Sequence, residues 1–221
     1  MLDIIMEDDK KIIVYKKAGQ LSQSGKSFDL DLVSEVMTYR RKKKEAPYAA
    51  IINRLDRPVS GLVLMAKDKK EAARLSALMQ KEHLNKEYDA VICGKPKADE
   101  GEFVDYLLKD GKENISRKVT EKTAGAKCAR LRYKALECEC RELPEDGLFT
   151  MVHIQLITGR HHQIRVQFAS RGLPILGDIK YGGMEFDECG RRYIGRNQIA
   201  LCASSLTVDG KTYTVKPEWI E

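Results

Sequence analysis

The sequence predicts an α+β protein with a mixed, largely antiparallel sheet and flanking helices. Three observations predict it. Short apolar runs with strand character follow one another from "KIIVYKK" to "KTYTVKPEWI". Only three segments combine helical spacing with end signals, and strands and helices do not alternate as a βαβ repeat requires. At 221 residues with 43% hydrophobic residues, the chain has material for a substantial core, and no internal repeat or linker divides it. A single domain over 1–221 is expected.

The elements follow in order. "KIIVYKK" reads as the first strand, and "AGQLSQSGKS", rich in Gly and Ser, as a loop. Val33, Val36 and Met37 recur at helical spacing, and their helix runs out into "RRKKK" at 40–44, where cations suit the C-terminal dipole. That block reads either as a solvated helix end or as a phosphate contact. "YAAII" and "GLVLMA" are short strands, so "NRLDRPVS" between them is a loop. Asp68 is an N-cap with Glu71 three residues on, and Ala72, Leu75 and Leu78 or Met79 form the apolar stripe of the next helix.

"KEYDAVICGK" alternates and ends in Gly, which marks a strand. The polar stretch 96–125 holds at best one short strand or hairpin around "GEFVDYLL". Strands return in "KCARLRYKALE" and "LFTMVHIQLITG", where the even-numbered positions of the second are almost wholly apolar. "TGRHHQIRVQFASRGLP" reads as a helix with Thr158 as N-cap, Gly172 at the C-terminal cap and Pro174 as the stop. "QIALCASSLTV" and "KTYTVKPEWI" close the chain as strands.

Composition excludes several classes. No apolar run reaches 18 residues, and the N-terminus carries acids where a signal peptide needs bases, so a cytoplasmic protein with no membrane contact is expected. Cys93, Cys128, Cys138, Cys140, Cys189 and Cys202 include one C-x-C and no C-x-x-C, which argues against a zinc ribbon or a disulfide framework and for reduced thiols. The net charge of +6 is compatible with a nucleic-acid partner without requiring one.

Three motifs carry chemistry. Asp56 lies between Arg54 and Arg57 at the mouth of a buried strand. A carboxylate beside guanidinium groups stays ionised, which suits a nucleophile or electrostatic stabiliser, although a plain ion pair has the same residues. In "TGRHHQIR", His161 and His162 precede Arg165 by four and three residues, so the three can share a helix face. A metal site there is disfavoured because neither H-E-x-x-H spacing nor a third ligand is present. Arg160 with His161 or His162 facing phosphate, and Arg165 turned towards a carboxylate, is the functional reading; a merely polar helix start is the other. Tyr88 on its strand suits packing, base stacking or proton transfer alike.

Taken together, "NRLDRPVSGLVLMAK" resembles the H-R-L-D-x-x-T-S-G-L-L-x-x-A-K signature of the RluA-type pseudouridine synthases. "LITGRHHQIRVQFASRGLPILGDIKYGG" resembles their L-x-T-G-R-T-H-Q-I-R and G-x-P-I-x-G-D-x-x-Y-G block, and weaker likenesses in "KKAGQLSQ", "NKEYDAVICGK" and "ALCASSLTV" extend the match over residues 11 to about 208. Asn53 and Val59 replace the usual His and Thr of the first signature, and His161 the Thr of the second.

The resemblance implies a pseudouridine synthase fold with a central active-site cleft, and isomerisation of uridine in ribosomal or transfer RNA without metal or organic cofactor. It makes Asp56 the essential carboxylate, Arg165 its ion-pair partner and Tyr88 the ring that packs on uracil. It gives Arg54 and Arg57 to RNA, which Arg160, His161 and His162 join as substrate-binding candidates from the residue reading. Attack on the sugar, attack on the ring and assistance in losing a sugar proton all require the ionised Asp56. A monomer is expected, with no N-terminal RNA-binding module ahead of the catalytic domain. The competing class is a non-catalytic RNA-binding or ribosome-assembly protein of the same fold.

Overall fold

The computed structural model describes residues 2–24, 31–81, 84–136, 149–182, 194 and 198–219. Cys138, Cys140 and Cys189 lie outside them, while Cys93 and Cys202 are buried and Cys128 is half-buried. The chain forms two compact units, one of residues 1–84 with 203–215 and one of 85–202 with 216–221.

The first unit holds strands β1 (Asp3–Glu7), β2 (Lys11–Lys16), β3 (Ala50–Ile51) and β4 (Ser60–Ala66), and helices α1 (Leu32–Lys42) and α2 (Lys69–Gln80). The return of the chain adds most of β10 (Leu201–Val208) and all of β11 (Lys211–Thr214). Strand order is β1-β2-β4-β10, with β3 on β4 and β11 on β10. Ile13, Leu62, Leu64, Ala66, Leu75, Leu206 and Val208 form one buried core, onto which Ala72, Leu78 and Met79 of α2 pack as their spacing predicts.

Close approach of two strands fixes one glycine in this unit. Gly61 has φ +118, and a Cβ there would lie 2.4 Å from the carbonyl oxygen of Ala203 on β10. Only a residue without a side chain fits that backbone and that gap.

The second unit holds β5 (Asn85–Cys93), β6 (Glu100–Asp110), β7 (Ile115–Val119), β8 (Lys127–Leu136) and β9 (Phe149–Leu156), with helices α3 (Gln163–Ala169) and α4 (Ile179–Gly182). Strand order is β5-β9-β8-β6-β7, each pairing antiparallel. Even-numbered residues of β9 face the interior: Val152 and Ile154 are fully buried, as the alternation predicts. Phe103, Tyr133 and Phe168 form an aromatic cluster with centroids 4.8 to 5.7 Å apart.

Four expectations are corrected. The acidic N-terminus forms strand β1, an antiparallel partner of β2, because an edge strand buries only one side and tolerates charges on the other. The stretch after residue 96 holds an eleven-residue strand, not a short one. Asp105 interrupts its apolar alternation yet points inward, satisfied by Lys118 at 2.7 Å, Arg171 at 2.8 Å and the Gln167 amide at 2.8 Å.

The helix of the "TGRHHQIR" segment starts at Gln163, so Thr158 does not cap it. Thr158 donates its hydroxyl to Gln163 Oε1 instead, and His162 takes a left-handed φ of +53 just before the first turn. His161 and His162 therefore do not share a helix face with Arg165. Lastly, Arg40 of the basic block is buried, donating to the carbonyls of Tyr48 and Lys67 and pairing with Glu45, so it is neither a solvated end nor a phosphate contact. Arg41, Lys42 and Lys44 stay exposed.

Candidate active site

The Asp56 loop belongs to the first unit and is built largely on main-chain hydrogen bonds. Asn53 begins it: its side-chain amide donates to the Leu62 carbonyl at 2.9 Å and accepts the Leu64 N–H at 2.7 Å. A side chain thus completes the ladder of β4 where the strand partner runs out. Ser22 donates its hydroxyl to the Leu55 carbonyl at 2.7 Å and accepts the Leu55 N–H at 3.1 Å. The Gly19 N–H donates to the Arg57 carbonyl at 2.7 Å, and Arg57 Nε returns a bond to the Gly19 carbonyl at 3.0 Å. The Val59 N–H closes the turn on the Asp56 carbonyl at 3.1 Å.

Apolar neighbours anchor this loop from below. Leu55 is 7% exposed and Val59 3%, so the residues on either side of the Asp56 turn are plugged into the core. Asp56 between them is half-buried, and Arg54 and Arg57 are both exposed. Among the described residues no hydrogen bond or ion pair holds Arg54. The buried ammonium of Lys16 adds a further tie, donating to the Arg57 carbonyl at 3.2 Å.

Tyr88, Arg165 and the histidines belong to the second unit. Tyr88 sits on β5 opposite Ile154 of β9, on the inward face and 7% exposed. Next to this strand runs the segment leading to Asp178: the Cys93 N–H donates to the Pro174 carbonyl at 2.8 Å and the Leu176 N–H to the Val91 carbonyl at 2.9 Å. Asp178 receives Arg165 as a fork, Nε to Oδ2 at 2.7 Å and Nη2 to Oδ1 at 2.7 Å, with both side chains at most 5% exposed. Such a planar double contact fixes the guanidinium in direction as well as place. The Tyr181 ring lies 5.1 Å from the same guanidinium.

Tyr181 also organises the histidines. Its hydroxyl accepts the Ser116 N–H at 2.7 Å and lies 2.7 Å from His162 Nδ1. His162 stacks on His161 at 3.7 Å. Burial first, then the nearby Arg165, push the His162 pKa down to about 2, so its imidazole is neutral at physiological pH. His161 contacts Ser116 Oγ at 2.9 Å and Asn114 Oδ1 at 3.1 Å, at the turn of the β6–β7 hairpin. Arg160 is exposed, with Nε donating to the Cys128 carbonyl at 2.8 Å.

Reading the sequence alone missed the supporting residues. Asp178 and Tyr181 stood within "GDIKYGG", inside the second signature, but nothing in their spacing says that they grip Arg165. Lys16, Ser22 and Asn53 gave no local signal, because their bonds go to main-chain atoms of loops and strands, which any residue type supplies. Among the described residues, no group of three or more His, Cys, Asp or Glu could hold a metal ion, and no helix is long and apolar enough to cross a membrane.

Known proteins resemble this chain. The family described as RNA pseudouridylate synthase matches residues 10–170. The tRNA pseudouridine synthase C of Yersinia pestis is 29% identical over 231 residues, covering all of this chain and 88% of that protein. The ribosomal large subunit pseudouridine synthase D of Nitrosomonas europaea is 32% identical over 182 residues; the match covers 82% of this chain and only half of that enzyme. Among solved structures, human RNA Pseudouridylate Synthase Domain Containing 4 superposes with a TM-score of 0.77 at 20% identity, covering 99% of this chain and 90% of that one, a likeness of fold. With the signatures, the antiparallel α+β fold and the match over residues 10–170 in agreement, the chain belongs to the RNA pseudouridylate synthase family and is of the RluA type.

Proposed function

We propose that this protein converts uridine to pseudouridine in ribosomal or transfer RNA, as a cytoplasmic monomer and without a cofactor. Asp56 is the essential carboxylate. The N1–C1′ bond of uridine breaks, the uracil turns, and a C5–C1′ bond forms; the C5 proton leaves and N1 gains one, so the reaction is an isomerisation with no net change of atoms or electrons. The uracil must be extruded from the RNA and kept oriented while it turns.

The observation that carries this reading is the Asp56 loop: a half-buried carboxylate on a turn anchored by Ser22, Asn53 and Lys16, with Arg54 and Arg57 exposed on either side. A fixed carboxylate supplies the negative charge that the chemistry requires, and flanking guanidiniums suit RNA phosphates. Tyr88 is proposed to pack on the uracil and Arg165 to act as the charge partner of Asp56. Arg160, His161 and His162 complete the substrate contacts; His162, neutral and buried, serves as a hydrogen-bonding group and brings no charge.

The test is Asp56→Ala assayed by pseudouridine formation in cellular RNA from cells lacking the protein. The variant should form none while its RNA affinity changes by less than about threefold. Continued conversion by the variant overturns the assignment, and mapping the uridines restored by the wild type identifies the target.

A further inference from the structure

The basic block at the end of α1 divides into cations that serve the fold and cations that do not. Arg40 is buried against the Tyr48 and Lys67 carbonyls and pairs with Glu45. Lys43 meets Glu7 at 3.1 Å and Glu45 at 3.2 Å, and Lys67, directly after β4, meets the same two carboxylates at 2.8 and 3.1 Å. Three cations thus face two carboxylates, which leaves the network no anion for Arg41, Lys42 and Lys44. Asp8, whose carbonyl accepts from Lys67 at 3.0 Å, gives its carboxylate to Lys11 and to the N–H groups of Lys10 and Lys11. Arg41, Lys42 and Lys44 are exposed, and among the described residues no hydrogen bond or ion pair holds their side chains.

The backbone points the same way. The Lys44 N–H bonds to the Arg41 carbonyl at 3.0 Å and the Glu45 N–H to the Arg40 carbonyl at 3.0 Å, the paired closure of a helix whose next residue turns left-handed. That residue is Lys44, with φ +61, where glycine is the unstrained choice. Glycine would close the helix with less strain. Lysine there adds a third cation to the two before it.

The helix also sets how far this cluster lies from the Asp56 loop. Leu32, the first residue of α1, donates to the Leu21 carbonyl at 2.9 Å, and Ser22 beside it bonds the Leu55 main chain. Eleven residues at 1.5 Å each put the basic end about 16 Å farther along. That is more than one nucleotide spans. A ligand of the basic end therefore lies outside the uridine held at Asp56.

We propose that Arg41, Lys42 and Lys44 form an RNA docking surface that grips phosphates away from the modified uridine, by charge and without reading sequence. The inference rests on the proposal that the substrate is RNA. Among the described residues the exposed large apolar side chains are Val104 and Ile179, both in the second unit, so this cluster lacks the apolar anchor of a protein interface or of a membrane-bound helix. A phosphate backbone needs no such anchor.

The experiment measures binding of transfer RNA and of ribosomal RNA, each purified from cells lacking the protein, from about 50 to about 300 mM salt, with thermal unfolding alongside. All proteins carry Asp56→Ala, so that RNA is bound without being converted. The triple variant Arg41→Gln, Lys42→Gln, Lys44→Gly should bind at least one of the two RNAs about tenfold more weakly or worse, and its slope of log affinity against log salt should be lower by about 2 to 3. Lys44→Gly alone should weaken binding yet unfold at the same temperature as its parent or higher, a combination that a merely structural role does not give. The variant Arg41→Lys, Lys42→Arg, Lys44→Arg keeps every charge and should bind like its parent.

An unchanged salt slope in the triple variant, or a loss of affinity in Lys44→Gly matched by a fall in its unfolding temperature, overturns the proposal. So does binding of phosphatidylserine vesicles or polyglutamate that the triple change removes while RNA affinity stays as it was, since the cluster then serves a membrane or an acidic protein. These outcomes stay separate from the fate of the proposed function. An Asp56→Ala protein that binds neither RNA removes RNA as the substrate, whereas one that binds RNA no more tightly than its triple variant removes only the docking surface.

Discussion

The two segments that carry the signature residues are held by opposite means. The Asp56 loop is fixed through its backbone: Ser22, Asn53, Gly19 and Lys16 all bond to main-chain atoms of residues 53–64, and the side chains of Arg54 and Arg57 are left at the surface. The "TGRHHQIR" segment is fixed through its side chains. Gln163 accepts from Thr158 and from the Arg160 N–H, His161 meets the hairpin turn, His162 meets Tyr181, and Arg165 meets Asp178. A loop tied by its backbone can present polar side chains outward. A segment tied by its side chains commits them to the fold as well.

The largest effect should come from cutting the tightest side-chain tie. Asp178→Asn removes a charge partner of a guanidinium that is 5% exposed, and losing one member of such a buried pair costs about 3–5 kcal/mol. Urea denaturation should show that loss, and pseudouridine formation should drop to background. Wild-type turnover in Asp178→Asn would mean that the fork does not set the direction of Arg165.

A smaller effect is expected on the backbone-tied side. Asn53→Ala leaves the Leu62 carbonyl and the Leu64 N–H without their amide partner, at about 1–3 kcal/mol. The loop relaxes while its charges remain, so kcat should suffer more than RNA affinity. Equal losses in both would show that the loop also shapes the RNA-binding surface.

The smallest change in stability belongs to Arg54. As an exposed side chain, its replacement by Ala should leave stability within about 0.5 kcal/mol. RNA affinity should weaken, and the slope of log affinity against log salt should fall by about 0.7 to 1, the signature of one lost phosphate contact. An unchanged salt slope would take Arg54 out of the RNA interface.

Much of the fold was legible because its signals are local. Asp68 caps α2 through the Glu71 N–H at 2.8 Å, and the alternation in "FTMVHIQL" predicts which face of β9 is buried. Where the reading failed, a distant residue had changed the meaning of a local pattern. The polar stretch after residue 96 reads as a short strand at best, yet Lys118, Arg171 and Gln167 surround Asp105 within the eleven-residue β6. Burial disfavours its ionised form, but those three partners outweigh burial and hold its carboxyl below the usual range. Thr158 looked like a helix cap until Gln163 claimed its hydroxyl.

For the site, the sequence by itself determined the family, through two long signatures in order, and nominated Asp56, Tyr88 and Arg165 as the residues of the proposed chemistry. Tertiary structure alone decided what holds them. Buried charges such as Asp105 and Arg165 are tolerable only when partners 13 to 66 residues away satisfy them, and Lys16 takes one of its three acceptors from Arg57, 41 residues on. The cost of burying a charge is set by its surroundings in space, and that information is absent from any window of neighbouring residues.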